Sequence, residues 1–151
     1  MHDILLPHNE INKLIDPATG QFLLLDIIYV DKYGFFLYVF SVYKKGGYKK
    51  IGRITLWMAT HEDSYIKGNI GYNIHKNHRR RGFAKGACII LLRYLKTKNV
   101  QNLLITCNPD NIATRRICKA LGAKHIDTTP VPPKWRDHHN KKTKLVYEIT
   151  L

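Results

Sequence analysis

The chain has 151 residues, 44% hydrophobic and 24% charged, a balance that fits one globular domain spanning 1–151 with a single sizeable core. No apolar run approaches the roughly 18 residues that span a membrane. The N-terminus lacks the basic-then-apolar order of a signal peptide, so a cytoplasmic location is expected. Cys88, Cys107 and Cys118 form no CxxC pair, which speaks against a disulfide framework or structural zinc. The net charge of +14 attracts anions of any kind: nucleic acid, an anionic membrane surface or a phosphorylated cofactor.

In chain order, Ile11, Leu14 and Ile15 stand at helical spacing, which predicts a short helix over 8–15 that Asp16-Pro17 ends. Residues 22–30, rich in Leu, Ile and Tyr, predict an extended segment, followed by a turn at Lys32-Tyr33-Gly34. Aromatic and β-branched residues over 35–43 predict a strand that pairs with 51–59 through Gly46-Gly47. A polar loop at 60–64 leads to a third strand over 66–74, with Ile70, Tyr72 and Ile74 on one face. The period then changes. Ala84, Ala87, Cys88, Leu91, Tyr94 and Leu95 form one helical stripe. A short strand at 103–106 precedes a second helix over 110–121, with Ile117, Ala120 and Leu121 inward, Asp110 at its N-terminus and Gly122 as its stop. Closing strands are expected at 124–127 and 144–149. Pro130, Pro132 and Pro133 make 129–142 an exposed loop. The fold class is α+β with a mixed sheet.

The positive charge gathers at 44–50, 75–81 and 134–144, and only the middle cluster adjoins a structural motif. There a strand runs into a cationic loop and then a helix start at Gly82. The first turn of a helix has backbone N–H groups without internal partners, and the macrodipole adds positive potential. The combination is an anion site. Gly82 lets the backbone approach a phosphate, Ala84 keeps the next turn small, and Arg79, Arg80 and Arg81 can add charge-assisted bonds. Neither GxxxxGK[ST] nor GxGxxG is present.

The segment Arg79-Arg80-Arg81-Gly82-Phe83-Ala84 resembles the [Q/R]-x-x-G-x-[G/A] hallmark of the GNAT acyltransferase superfamily, and Ile74 fills the apolar slot before it. Asn111, Thr114 and Gly122 stand in the slots of the family's downstream N-x-x-[A/S] pattern and its glycine, with Thr114 where the branch often has Ser. The likeness is greatest to the branch that holds ribosomal-protein and unassigned small acetyltransferases. It implies a mostly antiparallel sheet splayed between two central strands, acetyl-CoA as acyl donor, no metal, and a primary amine acceptor that is a small molecule, a protein N-terminus or a lysine. It also implies a cofactor site at Ile74, Arg79, Arg80, Arg81, Gly82, Phe83, Ala84, Lys85 and Asn111. Within it, the loop amides hold the pyrophosphate and the Ile74 N–H meets the thioester oxygen. A homodimer is compatible with it.

The family's frequent Tyr, seven residues after the Asn, is Cys118 here. Thr114 is the preferred proton donor, with Cys118 as the alternative. Glu62 is the expected base, in a loop shared with His61 and Asp63, and Tyr72 is expected to line the acceptor pocket. His75 and His78 lack a third ligand for a metal, as do His138 and His139. The alternative to an enzyme is a non-catalytic CoA- or nucleic-acid-binding protein on the same fold. Nucleic acid is the less favoured partner, because no recognised binding motif accompanies the charge.

Overall fold

A computed structural model describes residues 5–60, 62–133 and 142–151. Its elements run α1 (His8–Ile11), β1 (Lys13–Ile15), β2 (Phe22–Val30), β3 (Phe36–Tyr43), β4 (Gly52–Trp57), α2 (Ser64–Lys67), β5 (Ile70–Ile74), α3 (Phe83–Thr97), β6 (Asn102–Cys107), α4 (Ile112–Ala120), β7 (Lys124–Pro130) and β8 (Thr143–Thr150). The fold is α+β, as expected. Strands β1 to β5 form one antiparallel sheet in chain order, and β6-β8-β7 form a second. The expected splay is the gap between the sheets, since no ladder joins β5 to β6 among the described residues. No helix among those residues is long and apolar enough to cross a membrane.

Helix α3 buries Ala87, Cys88, Ile90, Leu91, Leu92 and Leu95 in one core with Tyr38, Phe40, Ile54, Leu56 and Ile74 of the larger sheet. Burying six such side chains contributes on the order of 10 kcal/mol. Four local expectations are corrected. The first helix stops at Ile11, and Leu14 and Ile15 pair in β1 with Leu23 and Phe22; three apolar residues fit either period, and the neighbouring strand decides. Residues 64–67 form a helical turn rather than strand, ended by Gly68 at φ 75°. In α4 the inward stripe is Thr114, Ile117, Cys118 and Leu121, while Ala120 is exposed, and Asn111 rather than Asp110 is the N-cap. Strand β7 extends to Pro130, which an edge strand tolerates, and Val131 is buried rather than exposed.

The sheets are joined by Asn69, which is 1% exposed. Its backbone N–H donates to the Leu104 C=O (2.7 Å), and its Oδ1 accepts from the Leu104 N–H (2.8 Å). Its Nδ2 donates to the Trp57 C=O (3.0 Å) and to Ser64 Oγ (2.7 Å). One side chain thus ties β4, α2 and β6 at the foot of β5. Asn69→Leu is expected to lower unfolding stability by about 3 kcal/mol, because the Leu104 N–H and the Trp57 C=O lose a buried partner. Urea denaturation measures it, and a loss below about 1 kcal/mol would show that the joint is dispensable.

Candidate acyl-donor and reaction site

Strand β5 is the edge of its sheet, and its register decides where its backbone points. The His75 N–H donates to the Ile51 C=O (2.8 Å), and the Trp57 N–H donates to the Asn69 C=O (2.7 Å). These bonds flank the pairs Gly52–Ile74 and Leu56–Ile70, which are therefore non-hydrogen-bonded pairs. By alternation, Tyr72 and Ile74 turn their N–H and C=O away from β4 into the gap. On the other side, the Leu151 N–H bond to the Gln101 C=O makes Asn102–Thr150 such a pair. Leu104 and Thr106 therefore face the gap too, and Leu104 meets Asn69 there. Beyond that joint, two strand edges offer backbone groups to an extended ligand.

At the open end of β5 the chain makes a short turn over Lys76–His78 and enters α3. Arg80 (φ 62°) and Gly82 (φ 81°) both adopt left-handed backbone, which costs Arg80 about 1 kcal/mol. Gly82 is the N-cap and no side chain caps the helix. The Gly86 N–H makes a bond to the Gly82 C=O (2.9 Å), so the N–H groups of Phe83, Ala84 and Lys85 precede that turn of the ladder. A Cβ on Gly82 would meet no atom within 4 Å; the glycine answers to its φ and to the open space before the helix. Phe83 and Ala84 turn their side chains to the core, and Arg80, Arg81 and Lys85 are exposed. Arg79 departs from expectation. Its Nε donates to the Ile74 C=O (2.7 Å) and its Nη2 to Asn73 Oδ1 (3.4 Å), so its guanidinium folds back on β5 and not toward the helix start.

Two features here were not legible as site residues. Gln21, 5% exposed, donates from Nε2 to the Phe83 C=O (2.8 Å). It fits because Gly86 has no side chain: a Cβ there would lie 2.1 Å from Gln21 Oε1. Together they set the position of the first turn of α3. The hairpin lysines, which the sequence leaves apart from any structural motif, reach this helix start. Lys44 and Lys45 line a cavity of about 640 Å³ with Arg81, Gly82 and Lys85. Buried surroundings, together with Lys44, Arg81 and His75, hold the His78 pKa below its ordinary value. Among the described residues no cluster of three His, Cys, Asp or Glu exists that could hold a metal.

Deeper in the gap, the Tyr72 hydroxyl donates to Thr114 Oγ1 (3.0 Å). The structure thus brings two predicted site residues together, one from β5 and one from α4. The Thr114 N–H donates to Asn111 Oδ1 (3.1 Å), so Asn111 places Thr114 while capping the helix. Burial pushes the Tyr72 hydroxyl well above its ordinary value, despite the opposing bond to Thr114, and Cys88, Cys118 and Cys107 add to the rise. Burial likewise pushes the Cys88 and Cys118 thiols up to about 12, so both are protonated at neutral pH.

Glu62 is exposed in the turn before α2. Its C=O accepts from the Tyr65 N–H (3.2 Å), and among the described residues no hydrogen bond joins its carboxylate to Tyr72 or Thr114. Asp63 accepts from Thr60 Oγ1 (2.6 Å), a local turn bond. His61, His138 and His139 lie outside the described residues.

A sequence profile described as an acetyltransferase (GNAT) domain matches residues 13–124. The uncharacterized N-acetyltransferase YnaD of Bacillus subtilis (strain 168) is 31% identical over 75 residues, which are 49% of this chain and 42% of that protein. The ribosomal-protein-S5-alanine acetyltransferase of Vibrio fischeri has a similar fold, with a TM-score of 0.62 and 17% identity over 76% of this chain and 61% of its own. The microcin C7 self-immunity acetyltransferase MccE, solved with acetyl-CoA and AMP, gives a TM-score of 0.62 and 16% identity over the same shares. The chain therefore spans less than two thirds of the length of each of these relatives.

The packing of Gln21 on Gly86 yields a coupling test. Gly86→Ala is expected to cost about 1–3 kcal/mol by displacing Gln21. In a Gln21→Ala background the same change is expected to cost much less. Additive losses in a double-mutant cycle would refute the contact.

Proposed function

The chain belongs to the GNAT acetyltransferase family, and from that premise we propose that it moves an acetyl group from acetyl-CoA to a primary amine. The observation that carries this reading is the pair of edges between β5 and β6, opening onto the uncapped, cationic start of α3. The N–H groups of 83–85, with Arg80, Arg81 and Lys85 around them, suit a pyrophosphate. Lys44 and Lys45 enlarge that field. The backbone of Tyr72 and Ile74 suits an amide-bearing arm laid alongside β5 as an added strand. Arg79 serves the site by fixing the end of β5 rather than by meeting phosphate.

In this reading the amine attacks the thioester carbonyl, with the Ile74 N–H stabilising the oxygen as charge develops on it. The carbon–sulfur bond breaks, and the Thr114 hydroxyl gives its proton to the departing thiolate while it takes one from the attacking nitrogen, so that the threonine ends protonated and the nitrogen ends as a neutral amide. Tyr72 is the partner that makes Thr114 fit for this. By donating to Thr114 Oγ1, it leaves the threonine hydrogen free for another acceptor and strengthens it as a donor. Because burial keeps Tyr72 protonated far above neutral pH, the arrangement persists across the physiological range. In this reading the amine arrives as its free base, so the step draws on no bond to Glu62.

Two measurements test the reading. Acetyl-CoA at about 100 times its dissociation constant should stabilise the protein by about 2.7 kcal/mol, and Gly82→Glu should abolish the shift by placing a strained, negative side chain in the open space. An unchanged affinity in calorimetry would remove the donor from this loop. Thr114→Val should lower kcat by at least about tenfold with cofactor affinity retained; equal turnover would take Thr114 out of the mechanism.

A further inference from the structure

The acyl-donor site uses one side of the positive charge and leaves another unexplained. A groove of about 680 Å³ runs between α4 and β7, lined by Arg115, Arg116, Lys119, Lys124 and His125, with Tyr147 and Ile112 as its apolar part. Among the described residues no carboxylate lines it. Of the acidic groups on the neighbouring strands, Asp127 Oδ2 accepts from the Tyr65 hydroxyl (2.8 Å), and Glu148 stands opposite Lys124 in the β7–β8 register. Ile112 is 47% exposed, on a helix whose inner stripe is already packed.

We propose that this groove docks an acidic segment of a polypeptide acceptor. The inference rests on the acetyltransferase reading and names its substrate class: a protein amine rather than a small one. Three observations favour a peptide over a nucleic acid. First, the Tyr147 ring already packs on His125 with centroids 5.3 Å apart, so it is not a free platform for a base. Second, His125 is committed, with Nε2 within 2.8 Å of the Asp127 C=O and 3.3 Å of Thr128 Oγ1. Third, the cations suit carboxylates. Arg115 and Lys119 stand four residues apart on a helix about 14 Å long, the reach of roughly four extended residues. Arg115 Nη1 donates to the Pro109 C=O (3.2 Å), which steadies the guanidinium for bidentate pairing. Ile112 offers a place for one apolar side chain. The inner face of the same helix carries Thr114, so docking and reaction share one rigid element.

The test uses a fluorescein-labelled, Glu-rich peptide with a free N-terminus, its Gln counterpart, and a single-stranded RNA. Anisotropy is measured on the full chain, on Arg116→Glu/Lys119→Glu, and on a control of equal charge, Lys49→Glu/Lys96→Glu, at exposed positions away from the groove. The Glu peptide should bind more tightly than the Gln peptide. The groove variant should weaken it at least about tenfold and the control only about twofold. Acetyl-CoA affinity should be the same in all three proteins, and kcat/KM should fall for the Glu peptide alone. Equal losses in both variants would reduce the effect to net charge and overturn the proposal. So would RNA binding that the groove variant abolishes while peptide binding is unaffected. If acetyl-CoA binds but the Glu peptide does not, the docking proposal fails and the enzyme reading stands. If acetyl-CoA does not bind at all, the enzyme reading fails first.

Discussion

The arrangement depends on one buried amide. Asn69 spends its backbone N–H, its Oδ1 and its Nδ2 on the Leu104 strand, the Trp57 C=O and Ser64. The bonds to Leu104 stand in for the first rung of a ladder between β5 and β6, and no ladder follows. The strands are therefore held at one end and free at the other. If they zipped into one sheet, the backbone groups of Tyr72 and Ile74 would be consumed by Thr106 and its neighbours. If the joint were absent, the core shared by α3 and both sheets would have to fix their spacing alone. A buried amide does so with direction, which apolar packing lacks.

The remaining geometry follows from alternation. A strand exposes every second backbone pair on each edge, and the bonds at His75 and Trp57 fix which pairs these are. A one-residue slip would move Tyr72 and Ile74 to the β4 side and turn Asn73 into the gap. The same slip would move Tyr72 off Thr114. The uncapped start of α3 lies beyond the end of the same strand, so one register sets both the backbone edge and the hydroxyl pair.

Much of this was legible in the sequence, and the misses have physical causes. The hairpin of β3 and β4, the stripe of α3 and the cationic loop carry strong local signals: β-branched runs, helical spacing, and a glycine whose φ of 81° disfavours residues with a side chain. Thr114 and Tyr72 were also legible, but as separate candidates; their bond needs β5 and α4 to be set in space. Asn69 gave no signal, because it falls inside a stretch read as one strand over 66–74, and its partners Leu104, Trp57 and Ser64 are known only once the two sheets are set in space. Gln21 and Gly86 are 65 positions apart, and only the close packing of β2 against α3 makes the glycine necessary. Arg79 was legible as a charge but not as a bond to the Ile74 C=O, since the flexible stem can point either way.

The charge itself divides in the same way. Composition yields a single number, +14, which invites a single explanation. Among the described residues, two sets of these cations stand on different helices. Lys44, Lys45, Arg81 and Lys85 surround the start of α3, where the helix dipole reinforces them. Arg115, Arg116 and Lys119 lie along the flank of α4, where the dipole adds little and the side chains must act by their own geometry. The first set suits a compact, multiply charged group held by backbone amides. The second suits an extended chain of spaced charges. A polyanion drawn by net charge alone would compete for both, so the two surfaces can serve one reaction only if their ligands differ in shape. A pyrophosphate and an acidic peptide segment differ in that respect.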